Sequence, residues 1–86
     1  MPVVIDVYRK AGCQMCDDAL EALDDLRGQF DCDVRQHNIQ AAEALFEKYR
    51  YLVPVVVISG IERLSLRFDL HQLEVALTAS GVPRRE

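Results

Sequence analysis

Three cysteines and two histidines are the obvious nucleophiles and soft ligands of this chain. Two of the cysteines, Cys13 and Cys16, have only Gln14 and Met15 between them. An apolar run, Val3-Val4-Ile5-Asp6-Val7-Tyr8, precedes the pair, and Met15, Ala19, Leu20, Leu23 and Leu26 mark one face of an amphipathic helix behind it. The cysteines therefore fall where a strand turns into a helix. Cys13 is expected as the N-cap or first helical residue, its sulfur facing unpaired N–H groups and the positive end of the helix dipole. Both favour the thiolate, which is the nucleophilic form. Lys10 adds a cation that either supports this thiolate or holds a substrate carboxylate, whereas Asp17 and Asp18 in the first turn act against ionisation. Cys16, one turn on, returns to the same side, near enough to close a disulfide with Cys13. One cysteine can attack and the other can resolve, which is the plan of a dithiol oxidoreductase.

A second chemistry competes for the same residues. Cys13, Cys16, Cys32 and His37 pass a loose Cys₃His zinc pattern. An unbroken amphipathic helix fills the gap before Cys32, however, and Cys32 and His37 lie an odd number of residues apart, so one strand points them to opposite faces. No metal site and no tightly bound cofactor are expected. Cys32 then reads as a half-buried apolar residue, and His37, His71 and Arg50 as surface groups.

At 86 residues the chain makes one domain, residues 1–86. A chain this size buries roughly 60–65% of its unfolded surface. With half its residues apolar and no Trp, it builds an aliphatic core without staples. A net charge of −4 argues against a nucleic-acid partner. The basic tail, Arg84-Arg85, reads as a frayed, solvated end. The start shows neither a basic region nor a cleavage site, and no run approaches the ~20 apolar residues of a membrane span. An odd cysteine count does not make a secreted disulfide framework. These features point to a monomer in a reducing cytoplasm.

The elements that must position the cysteines follow in order. Val3–Tyr8 reads as a strand buried on both faces, and Cys13–Arg27 as a helix ended by Gly28. Phe30–His37 alternates polar and apolar residues like an edge strand, parallel to the first because a helix intervenes. Asn38 is placed as the cap of a second helix that fades near Arg50. Leu52–Ile58 is a second buried strand with Pro54 at its opening, where proline is tolerated. Ser59-Gly60 turns it into an antiparallel partner, Ile61–Phe68. Asp69 and Gln72 box the start of a last helix carrying Leu70, Leu73, Val75, Ala76 and Leu77, which Gly81 and Pro83 stop. The order βαβ–ββα implies an α/β fold, a four-stranded mixed sheet flanked by three helices on both faces. The cysteine pair lies at the carboxyl end of the first strand, where ligand sites of open α/β sheets gather.

These features together resemble the thioredoxin superfamily and, within it, the short glutaredoxin-like proteins, over nearly the whole chain. Tyr8-Arg9-Lys10-Ala11-Gly12-Cys13 is similar to the glutaredoxin lead-in, Cys13-Gln14-Met15-Cys16 stands in the redox motif's place, and Val53-Pro54 resembles the step whose proline is cis in this superfamily. The resemblance implies a thioredoxin-like, glutaredoxin-type fold and thiol–disulfide exchange. Pro54 would face the cysteines and leave the Val53 N–H and C=O to a substrate strand. It implies glutathione or thioredoxin as reductant, and a disulfide-bearing protein or small thiol as substrate. The chain departs from the pattern at Gln14-Met15 (usually Pro-Tyr), at Leu52 (usually Thr) and at Ser65-Leu66 (usually Gly-Gly), while Asp69 matches the acidic residue that follows. The expectation is an oxidoreductase in which Cys13 attacks and Cys16 resolves, with Val53, Pro54 and Lys10 at the substrate. The alternatives are a non-catalytic binding module that uses the groove beside Val53-Pro54, and a cysteine-ligated metal or Fe–S site.

Overall fold

Eight elements follow one another in the computed structural model, which describes residues 2–85. They are β1 (Val3–Arg9), α1 (Gln14–Leu26), β2 (Cys32–Asn38), a 3₁₀ turn (Ile39–Ala41), α2 (Glu43–Tyr49), β3 (Val55–Ile58), β4 (Ile61–Ser65) and α3 (Leu70–Ala79). The sheet order is β2-β1-β3-β4. β1 pairs parallel with β2 and antiparallel with β3, and β3 pairs antiparallel with β4. This is the thioredoxin-like βαβ–ββα arrangement, with the polar β2 on an edge as its alternation required.

Alternation along the strands splits the apolar residues into two layers. Ile5 and Val7 of β1 and Val56 and Ile58 of β3 face Leu23 and Leu26 of α1 and Leu73 and Leu77 of α3, with Phe30 and Val82 closing the core. On the other side Val55 and Val57 meet Ile39 and Tyr49, and Val53, Cys13 and Cys16 join that smaller cluster. The cysteines thus belong to the α2 side of the molecule, above the end of β1.

Several element limits differ from the sequence reading, each for a local reason. β1 is fully buried only at Ile5 and Val7, because the seven-residue α2 is too short to cover the alternate face that carries Val4, Asp6 and Tyr8. Asn38 caps the 3₁₀ turn, accepting from the Gln40 N–H at 2.9 Å, and α2 follows Ala42, an N-cap with no side-chain hydrogen bond. β3 begins at Val55, after the cis Val53–Pro54 bond. β4 stops at Ser65 because Leu66 turns left-handed, at φ 66°. A leucine held there costs about 1 kcal/mol of backbone strain. The capping box of α3 forms as expected, with Asp69 accepting from the Gln72 N–H at 2.8 Å and Gln72 from the Asp69 N–H at 2.9 Å.

The C-terminal tail is docked rather than frayed. Asp31 N–H donates to the Pro83 carbonyl and Arg85 N–H to the Gln29 carbonyl, each at 2.8 Å, and Phe30 and Arg84 form a β-bridge. The Arg85 guanidinium donates to the Arg27 carbonyl at 2.9 Å, satisfying one of the carbonyls left open at the end of α1. The Arg84 guanidinium stacks over Phe30, 4.5 Å from its centroid. Sequence spacing carries no sign of pairs so far apart in the chain.

Candidate dithiol site

The site begins at Gly12, whose φ of 72° lets the chain reverse from β1 into α1. A side chain at that position would be strained. Cys13 follows as the N-cap of α1, extended at φ −108° and ψ 107°, and its Sγ accepts the Cys16 N–H at 3.2 Å. The sulfur therefore occupies the place that a Ser or Asp oxygen takes in an ordinary cap, on the helix's donor groups.

Cys16 lies one turn deeper. It is 0% exposed against 8% for Cys13. Burial, and then a hydrogen bond with the Cys13 side chain, push the Cys16 thiol up to about 11 from 9.0, while the Lys10 backbone amide and the Arg9 charge offset part of this. Cys13 is the less deeply buried of the two and accepts a helix N–H, and Cys16 lies deeper with its thiol pushed up. All three cysteines are free thiols.

The carboxylates of the first turn are engaged elsewhere. Asp17 pairs with Arg9 at 3.1 Å, and Asp18 accepts from Gln14 at 2.9 Å. Lys10 is half-buried in the loop before the cysteines, and among the described residues its ammonium makes no ion pair. Pro54 lines a groove of about 340 Å³ that runs between the start of α1, with Met15 on its wall, and the Leu66–Asp69 segment.

The expectation that Val53 leaves both backbone groups open is corrected. Its N–H donates to the Tyr49 carbonyl at 3.1 Å, because the turn from α2 to β3 is too short to release that helix end. Among the described residues no turn or loop N–H donates to the Val53 carbonyl.

Cys32 is not brought to the site. It pairs with Val3 at the start of β1 and packs in the α1–α3 core, where burial pushes its thiol up. Six residues of strand, about 20 Å at 3.3 Å each, separate that level from the end of β1. The Cys₃His set therefore does not assemble. His37 is no lone surface group either. Its Nε2 lies 2.7 Å from Asp6 Oδ1, and its ring stacks on Tyr8, which stacks in turn on Tyr49. Burial, with the Asp6 carboxylate nearby, pushes the Tyr8 phenol above its ordinary value. The one sequence signal for this ladder was a carboxylate, Asp6, inside an otherwise apolar strand.

Comparison with known proteins agrees with this geometry. The structural-genomics target protein XcR50 from X. campestris superimposes with a TM-score of 0.76 and 29% sequence identity, covering 87% of this chain and 96% of that one. Protein Ne2328 from Nitrosomonas europaea superimposes with a TM-score of 0.73 and 23% identity, covering 87% of this chain and 91% of its own, a likeness of fold. No curated protein matches the sequence. Residues 4–78 match the glutaredoxin-like domain (DUF836), and this chain belongs to that glutaredoxin-like family.

Proposed function

We propose that this chain is a thiol–disulfide oxidoreductase in which Cys13 attacks and Cys16 resolves. The observation that carries the reading is the unequal placement of two neighbouring thiols. Cys13 accepts a helix N–H and keeps 8% of its surface open, whereas Cys16 is fully buried. Attack by the Cys13 thiolate on a disulfide gives a mixed disulfide and releases one thiol. Cys16 then gives up its proton and attacks the Cys13 sulfur, closing the Cys13–Cys16 disulfide and releasing the second thiol. Its raised proton affinity keeps it out of the first step.

The reading extends to a disulfide-bearing protein or small thiol beside Val53, Pro54 and Lys10, to glutathione or thioredoxin as reductant, and to a reducing compartment. The test is reduction of a protein disulfide and of a mixed disulfide, run separately with each reductant, in wild type and Cys13→Ser. Turnover with one reductant that Cys13→Ser abolishes supports the assignment. Equal turnover by the variant contradicts it. The binding-module reading predicts a partner whose affinity survives loss of both thiols.

A further inference from the structure

We propose that Leu66 selects the substrate of the dithiol site by contacting an apolar residue beside the disulfide cysteine of an extended protein segment. The proposal rests on the oxidoreductase reading above.

Leu66 is held left-handed at φ 66°, a conformation that glycine takes freely and leucine does not. The residue is 44% exposed and belongs to neither core cluster. Its N–H reaches the Leu52 and Pro54 carbonyls, each at 3.0 Å, and so ties this turn to the proline that shares a groove with Met15, the residue just before Cys16. Those bonds are backbone bonds, and any residue but proline would make them. What leucine alone adds is an aliphatic side chain, and that side chain stands in the groove with Met15, Pro54 and Phe68. Strain kept where it does not serve packing points to a role outside the fold.

The charges of the groove decide between kinds of occupant. Asp18 and Asp69 line it against a single guanidinium, Arg67, so an anionic thiol gains no net attraction there. An uncharged aliphatic side chain gains contact with Leu66, Met15 and Phe68. The occupant is therefore a protein segment with an aliphatic residue next to its cysteine. Cys13 bonds to that cysteine's sulfur as the segment's S–S bond breaks, and the sulfur that leaves takes up the proton Cys13 gave.

The test uses the reduced full chain and three probes. Two are peptides, identical except for Leu or Ser before the cysteine, each carried as a disulfide with thionitrobenzoate. The third is oxidised glutathione. Wild type is expected to react roughly tenfold faster with the Leu peptide than with the Ser peptide, the scale of one aliphatic contact. In Leu66→Asn and Leu66→Gly, both of which tolerate the left-handed turn, that ratio should fall close to one. Their melting temperatures should stay within a few degrees of wild type or rise. Equal rates of the two peptides in wild type overturn the proposal while leaving the oxidoreductase reading intact. So does a preference that survives in both variants. A fall in melting temperature beyond roughly 8 °C marks Leu66 as a packing residue and overturns it as well. No reaction of wild type with any probe sinks the oxidoreductase reading, and the proposal with it.

Discussion

Alkaline titration of the reduced protein, compared with a variant lacking Cys16, isolates the contribution of the buried thiol. Cys16 is fully buried and its thiol is pushed up to about 11 from 9.0, chiefly by burial. Unfolding returns it to solvent and to its ordinary value. Between those two values the unfolded chain has lost the proton and the folded chain still holds it, so stability falls as pH rises. The contribution is whole below pH 9.0 and gone above about pH 11. Two pH units at about 1.4 kcal/mol each amount to about 3 kcal/mol. Tyr8 and Cys32 are also displaced upward and lose stability in the same direction, so the quantity to follow is a difference. Urea denaturation of wild type and Cys16→Ala under reducing conditions, at steps from about pH 8 to about pH 11, supplies it. The wild-type advantage should shrink by about 3 kcal/mol over that range. Parallel curves would refute the placement of Cys16 as a buried, protonated thiol.

Further consequences are simpler to check. Arg85→Ala removes a charged donor from the end of α1 and should cost about 1 kcal/mol in urea denaturation. Asp69→Ala breaks the capping box of α3 and should cost a similar ~1 kcal/mol. Cys32→Ser places a hydroxyl in the α1–α3 core and should cost about 1–3 kcal/mol, while exchange through Cys13 proceeds as in wild type.

The features legible in the sequence are those set by short spacing. The capping box of Asp69 and Gln72, the face of α1 and the turn at Ser59-Gly60 each depend on neighbours within a few residues, and each forms as read. The place of Cys13 at the helix start followed from the change of period beside it. What escaped the reading depends on which distant residues the fold brings into register. His37 finds Asp6 only because β2 lies parallel to β1 with Tyr8 opposite His37. The basic tail finds the end of α1 only once Phe30 and Arg84 are bridged. The Val53 N–H is spent on Tyr49 because α2 ends one turn before it, a limit that periodicity placed only loosely. The left-handed Leu66 broke a local rule that favours glycine, so no propensity pointed to it.

The division of labour between the two cysteines is the central claim, and Cys16→Ser tests it most directly. Loss of the resolving thiol should leave attack intact and halt the reaction at a mixed disulfide through Cys13, visible as a covalent adduct by intact-mass spectrometry and removed by reductant. Digestion should place that adduct on Cys13 alone. An adduct on Cys32, or no adduct with any disulfide probe that wild type reduces, would contradict the account.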